Sequence, residues 1–352
     1  MTKIPAPIIW KENSLHLLDQ RVLPLKEVYI HCDTIESAFF GIRDMVVRGA
    51  PCIGFTAIYG LALWLKNQSQ FDLQNFRKAC DYLKSARPTA VNLMFEIDRI
   101  FKQVEENFKN DPSLSRIFDY VVQDGHLQIE ESLRKNTAMA EFALKDLVKR
   151  YPNKKLHLMT HCNTGVLACG TLGTALGVIS HCFAHNLVEM VYADETRPYL
   201  QGSRLTAYEL SKDEIPHKIV VEGAASFLMK NKMVDAIFVG ADRIAANGDT
   251  ANKVGTSTLA IVAKHYGIPF YVVAPMSTFD FKTVSGEGIH IEMRDDREIT
   301  HYKDLQIAPS ISKTLNPSFD VTDSSLITGI ISEKGLVHNP NLDSMKFFQR
   351  AL

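Results

Sequence analysis

Apolar and polar positions alternate in two distinct rhythms along this chain. The first thirty residues suggest short strands, with PIIW and SLHLLD flanking a turn-like Lys11-Glu12-Asn13. From Thr34 to about Arg150 the pattern becomes helical. Thr34 is followed three residues later by Ser37, and an apolar face continues through Phe39, Phe40 and Ile42. A second helix is expected to start near Pro51 and run through IGFTAIYGLALWLK, and Asp111-Pro112 and Asp124-Gly125 read as turns. From about Leu156 short apolar runs alternate with helical stretches. The runs are LHLMT (156–160), LVEMVY (187–192), HKIVV (217–221), DAIFVG (235–240) and PFYVVA (269–274). Runs of this kind suit strands buried on both faces, and their alternation with helices predicts an α/β fold with a doubly wound, mostly parallel sheet. The polar, proline-containing YPNKK marks the boundary. The expected organisation is a small, mostly helical N-terminal domain with a few short strands over 1–150, followed by the sheet domain over 151–352.

The 352 residues are nearly half apolar, enough for a large core, and carry a formal net charge of −1. That balance gives no electrostatic reason to expect nucleic acid or an anionic membrane as partner. The N-terminus MTKIPAPIIWKENSL lacks an apolar leader core, and no stretch approaches a membrane span, so a cytoplasmic location is expected. The six cysteines show neither C-x-x-C pairing nor zinc spacing, so most read as small core residues.

In an open parallel sheet, ligands bind beyond the carboxyl ends of the strands. Four polar segments fall there: His161-Cys162-Asn163-Thr164-Gly165, Ala193-Asp194-Glu195-Thr196-Arg197-Pro198 and on to Gln201, Ala241-Asp242-Arg243 with Asn252-Lys253, and Pro275 to Asp280. Each also has an ordinary reading. Asn163 or Thr164 could cap a helix, Cys162 could be an inert buried thiol, and Asp242 could pair with Arg243. The functional reading gains because a thiol and a carboxylate from different strands end on the same edge. The glycines of GTLGTALG (170–177) match no dinucleotide or phosphate-loop pattern. Their spacing places them along one helix face, for close helix–sheet packing. Arg48-Gly49-Ala50-Pro51 at a helix start is a plausible anion site, although taken alone an interhelix turn is the simpler reading.

Taken together, these segments resemble methylthioribose-1-phosphate isomerase, of the superfamily that includes ribose-1,5-bisphosphate isomerase and the regulatory subunits of translation initiation factor 2B. The resemblance runs through VVRGAPCIG (46–54), RPTAVNL (87–93), THCNTG (160–165), GTALGVI (173–179), VYADETRPYLQGSRLTAYEL (191–210), VGADRIAANGDTANKVGT (239–256) and IPFYVVAPMSTFD (268–280). It implies a Rossmann-like C-terminal domain, a homodimer, a small sugar-phosphate substrate, and neither metal nor nucleotide cofactor. It also implies Cys162 and Asp242 as the catalytic pair, with Arg48, Gly49, Ala50, Arg87, Gln201, Asn252 and Lys253 as substrate contacts. The chain departs from the family pattern at Cys52, in VLACGTLGTALG (166–177), at Glu222-Gly223-Ala224-Ala225 and in GTSTLA (255–260). These departures leave open whether the substrate carries methylthio, methyl or phosphate at C5.

The implied chemistry is an aldose–ketose isomerisation in which phosphate on C1 blocks a free aldehyde. The ring must open, and the hydrogen on C2 must reach C1, by an enolate-like intermediate or a hydride shift. Asp242 would protonate the ring oxygen and Cys162 would handle the C2/O2 proton, or the reverse. Reference values of about 3.9 for Asp and 8.5 for Cys suit neither group to neutral pH. Burial is therefore expected to raise Asp242, and a helix starting near Asn163 to lower Cys162. Arg48, the 49–50 backbone and Arg87, with Asn252 and Lys253 on the facing domain, would hold the phosphate. A non-catalytic regulatory subunit is the rival from another class.

Overall fold

Three short strands open the chain: β1 (Ile8–Lys11), β2 (Ser14–Leu18) and β3 (Tyr29–Cys32), paired antiparallel in sequence order. The β1–β2 turn places Glu12 and Asn13 both in the left-handed region, the two-residue hairpin geometry that matches strand twist. Helix α1 (Ile35–Arg43) then starts on a capping box, because Thr34 and Ser37 each satisfy the other's backbone N–H. Helix α2 (Ala50–Lys66) is apolar all round and is central to its layer. Around it lie α3 (Leu73–Lys84), α4 (Val91–Asn107) and the start of α5 (Leu114–Arg150). This computed structural model describes residues 2–88 and 90–350. Thr89 of the RPT segment, Met1, Ala351 and Leu352 lie outside the described residues.

The Asp124-Gly125 pair does not turn the chain: it lies inside α5. Its sequence signal has a packing cause instead. A Cβ on Gly125 would come within 2.6 Å of the Tyr59 ring, and Asp124 receives a bidentate ion pair from Arg99 at 2.6 and 2.8 Å. The Asp111-Pro112 segment does separate α4 from α5.

After α5 come β4 (Leu156–Thr160), α6 (Val166–Cys169), α7 (Ala175–Ala184) and β5 (Val188–Asp194). A π-helical turn over Gly202–Thr206 leads into α8 (Ala207–Lys212). Then follow β6 (His217–Val220), α9 (Ala225–Lys230), β7 (Ala236–Val239), β8 (Arg243–Ala245), β9 (Thr250–Lys253), α10 (Thr256–Tyr266), β10 (Phe270–Val273) and β11 (Phe279–Asp280). The last elements are α11 (Arg297–Thr300), β12 (His301–Tyr302), β13 (Leu305–Gln306), β14 (Phe319–Thr322), β15 (Gly329–Ser332), β16 (Gly335–His338) and α12 (Lys346–Gln349).

The five apolar runs are strands of one seven-stranded sheet, in the order β16-β15-β10-β7-β4-β5-β6. Every neighbouring pair is parallel except β15–β16. Met159, Ile237, Val239, Phe270 and Val272 pack with Leu228, Leu259 and Ala263 from α9 and α10. By the alternation of the pleat, Tyr271 points to the other face, where its hydroxyl donates to Asp146 of α5 at 2.6 Å. Helices thus cover both faces, as the sequence pattern predicts. Strand β6 departs from the two-face burial expected of it, because it is an edge strand with Ile219 exposed. A smaller sheet, β11-β8-β9-β14, grows from the segment following β7.

The glycines at 170, 173 and 177 do not share one helix. Gly170 ends α6 in the left-handed region at φ 79°, Gly173 adopts φ 94°, and only Gly177 lies within α7. Positive φ, rather than face-to-face packing, explains the first two. The chain divides into two compact units, one of Lys3–Arg134 with Gly165–Gly173 and the other of Lys135–Thr164 with Thr174–Leu352.

Candidate functional site

Strand β4 enters the large sheet first. The chain then adds β5 and β6 on one side, and β7, β10 and β15 on the other. The direction of winding therefore reverses between β4 and β7, and a crevice beyond their carboxyl ends is the expected ligand position. Thr160 pairs with Phe238 across this junction, and its hydroxyl donates to the Phe238 carbonyl at 2.8 Å. Cys162 stands two residues beyond Thr160, and Asp242 four residues beyond Phe238.

The two groups are held differently. Cys162 is buried, with φ +63°. Its N–H donates to Thr196 Oγ1 at 2.8 Å, and its carbonyl accepts from Thr206 Oγ1 at 2.5 Å. Thr196, itself at φ +63°, donates its hydroxyl hydrogen bond to the Asp194 carbonyl at 3.0 Å. Asn163 donates to Glu209 Oε1 at 2.7 Å and to Thr206 Oγ1 at 3.3 Å, and both acceptors are buried. The turn after β4 is thus laced to the segment after β5. Asp242, by contrast, has an exposed side chain, and its N–H donates to the Ala251 carbonyl at 2.9 Å in the β8–β9 hairpin.

Two expectations about tuning fail here. No helix starts at Asn163; α6 begins at Val166, is four residues long and has Gly165 as N-cap, so it gives Cys162 no N-terminal field. Asp242 is not buried in an apolar pocket. The chain spends Asn163 on Glu209 instead of a cap, and Thr164 caps a different helix, accepting from Leu176 N–H at 3.1 Å in the first turn of α7.

Gln201 is buried just before the π-helical turn, and its Oε1 has no hydrogen-bond partner among the described residues. Buried Asn252 donates to Thr256 Oγ1 at 2.9 Å, and Lys253 donates to the Ser318 carbonyl at 2.7 Å with its ammonium over the Phe319 ring. Cys162, Gln201, Asp242, Asn252 and Lys253 all belong to the unit built on the large sheet. The remaining four belong to the other unit: Arg48 is buried, Gly49 caps α2 with φ 93°, Ala50 opens that helix, and Arg87 is half-buried.

One residue that carries no assigned role in the sequence reading sits beside Cys162. His161 is 1% exposed, its Nδ1 lies 3.1 Å from Asp194 Oδ2 and its Nε2 lies 2.9 Å from the Val254 carbonyl. Burial opposes charge on the ring, but Asp194 and then Glu222, 3.8 Å away, outweigh it and hold His161 above the usual histidine range. Burial likewise raises Asp194, against the pull of His161. The His161 and Asp194 letters stand at strand ends in the sequence, but nothing there pairs them. Among the described residues no group of three or more His, Cys, Asp or Glu is placed to hold a metal ion.

Comparison with known proteins agrees with the motifs. Residues 46–339 match the model of the initiation factor 2 subunit family. The methylthioribose-1-phosphate isomerase of Caldicellulosiruptor saccharolyticus is 44% identical over 342 residues, 96% of this chain and 98% of that protein. The crystal structure of 5-methylthioribose 1-phosphate isomerase from Pyrococcus horikoshii superposes with a TM-score of 0.91 at 38% identity, covering 100% of this chain and 97% of the other. A translation initiation factor eIF-2B subunit delta from A. fulgidus gives 0.86 at 35% identity, over 97% of this chain and 100% of that one.

Proposed function

Because the chain belongs to the initiation factor 2 subunit family and, within it, to the methylthioribose-1-phosphate isomerases, we propose that it converts 5-methylthioribose-1-phosphate to 5-methylthioribulose-1-phosphate, a step of methionine salvage, with Cys162 and Asp242 as the acid/base pair. The observation that carries the assignment of this pair is their origin on adjacent parallel strands, β4 and β7, at the reversal of winding.

In this reading Asp242, exposed beyond β7, protonates the ring oxygen as the C1–O bond opens. Cys162, fixed beyond β4, handles the proton at C2 or O2 while hydrogen arrives at C1, by enolate or hydride. Gln201 offers an unpaired buried acceptor to a substrate hydroxyl. Lys253 and Asn252, together with Arg48, the Gly49 and Ala50 backbone and Arg87, are assigned to the substrate, the cations to its phosphate. The reading includes the division into a 1–150 domain and a 151–352 catalytic domain, and a cytoplasmic homodimer that sedimentation equilibrium would test. No helix among the described residues is long and apolar enough to cross a membrane.

The test is turnover by the purified chain on 5-methylthio-, 5-deoxy- and 5-phospho-ribose-1-phosphate. The methylthio substrate should give the highest kcat/KM. Cys162→Ser and Asp242→Asn should each lower kcat by about 10²–10⁴, the worth of a matched proton-transfer group, with KM within a few-fold. Near-normal kcat in either variant removes that residue from the pair. A second reading, a non-catalytic effector-binding subunit, is favoured by the likeness to the eIF-2B delta subunit; it would be the outcome if the wild-type chain binds sugar phosphate without turning it over.

A further inference from the structure

His161 connects parts of the molecule that the proposed mechanism treats separately. Its backbone adjoins Cys162 at the end of β4. Its ring reaches Asp194, the last residue of β5, on one side and the Val254 carbonyl, one residue beyond Lys253 and β9, on the other. The seat is tight: a Cβ on Gly255 would come within 2.8 Å of His161 Cε1 and 2.7 Å of Glu222 Oε1. Glu222 in turn accepts the Arg197 N–H at 2.9 Å, so the loop after β6 is tied in as well.

Both atoms facing the ring nitrogens are oxygens, and a backbone carbonyl can only accept. A neutral imidazole carries one N–H and could donate to only one of them, so the second contact would then require Asp194 to carry the proton itself and donate it to Nδ1. Among the described residues, the charged groups that act most on the ring are carboxylates, Asp194 from β5 and Glu222 from the loop after β6; Asp320 of β14 is raised by burial, against a lesser pull from the His161 cation. Asp194 Oδ1 has no hydrogen-bond partner among the described residues, so this buried carboxylate depends on the ring for compensation. Among these groups no cation competes with the imidazole.

We propose that His161 is a charged positioning residue: an imidazolium clamped between Asp194 and Val254 that fixes the Cys162 turn to the β9 end bearing Asn252 and Lys253, and supplies the positive charge beside Cys162 that no helix terminus provides. The inference rests on the assignment of Cys162 to the chemistry. His161 touches no substrate in this scheme; it acts through its neighbours.

Three measurements on the intact chain test it. With 15N-labelled histidine, the resonances absent from His161→Gln identify the ring, and both of its nitrogens should stay protonated above the pH at which an ordinary histidine titrates. A ring that loses a proton near the ordinary value of about 6.5 overturns the imidazolium. His161→Gln keeps a donor for the Val254 carbonyl but no charge. It should lower kcat at least tenfold with KM changed less than threefold. The pH midpoint for iodoacetamide alkylation of the Cys162 peptide, followed by mass spectrometry, should rise, because a positive charge beside a thiol favours the thiolate. A merely structural histidine would move thermal stability but not that midpoint. Should His161→Gln fail to fold, Asp194→Asn keeps the side-chain shape and removes the anion; its His161 ring should then titrate below that of the wild type, and an unchanged titration would sink the clamp. If Cys162→Ser is inactive while the His161→Gln midpoint is unmoved, this inference alone fails. If Cys162→Ser is active, the proposed pair itself fails.

Discussion

The two strand ends at the reversal of winding solve the same placement problem in opposite ways. Beyond β4 the chain doubles into a turn whose backbone N–H, carbonyl and following side chain are all spoken for, by Thr196, Thr206 and Glu209. Beyond β7 it runs out along a short hairpin, held at Asp242 by a hydrogen bond from its N–H to the Ala251 carbonyl, with the residue exposed. The lesson concerns tuning. A thiol has to be positioned and electrically supported before substrate arrives, because its ordinary pKa lies above neutrality. An exposed carboxyl group instead meets a changed environment when substrate covers it.

Chemical rescue would break or sharpen this contrast with the largest effect. Asp242→Ala and Cys162→Ala should each reduce kcat by about 10²–10⁴. Formate should restore at least part of the loss in Asp242→Ala, because the carboxyl site is open to solvent. Hydrosulfide should restore less in Cys162→Ala, where the thiol position is largely buried. Equal rescue of both, read as initial rates, would erase the distinction.

Thr196→Val comes next. It keeps shape but leaves the Cys162 N–H and the Asp194 carbonyl without their buried partner. Unfolding free energy from urea titration should fall by about 1–3 kcal/mol, and kcat should fall more than KM rises. A Gly125→Ala control lies outside both strand ends. Its methyl group must displace a Tyr59 ring that is stacked on Trp10 at 5.0 Å and bonded to His126. A stability loss of about 1–3 kcal/mol without a change in kcat is expected.

The smallest effect concerns acid. Asp249 stands in the β8–β9 hairpin that carries Asp242. Burial alone would raise its carboxyl group, but the Gly286 N–H, the Asn247 amide and the Ser324 N–H overcome that and hold it below the usual range. A depressed folded value means that its stabilisation is complete above the unfolded value of about 3.9 and fades as pH falls through the folded one. Hydrogen exchange by mass spectrometry should therefore show the hairpin loosening before the Cys162 turn as pH drops from 5 toward 2. Asp249→Asn should have a looser hairpin already at pH 7, with less further change in acid.

The large sheet was legible because a strand buried on both faces is an uninterrupted apolar run, and LHLMT and PFYVVA have no competing reading. The small sheet was not, because β8, β9 and β11 are two to four residues long and mix Arg, Asn and Asp with apolar letters. Glycine misled twice for physical reasons. At 125 it answers a neighbouring ring, and at 170 and 173 it answers backbone angle, and a one-letter code distinguishes neither from a turn or a packing stripe. The residue types of the site could be named from motifs. The left-handed turn at Cys162 and the His161–Asp194 contact could not, because each depends on which strands become neighbours.

Thr196 carries one last implication. A β-branched side chain at φ +63° sits in a conformation that glycine or asparagine adopts with less strain, by roughly 1–2 kcal/mol. Glycine there would relieve that strain but discard the hydroxyl that threads Cys162 to Asp194, whose two buried bonds are worth at least as much, so the bonds hold the strained threonine in place. Durability and turnover therefore pull the same way at this position, and a library screened only for survival at high temperature should keep threonine there and, with it, the turn that carries the thiol.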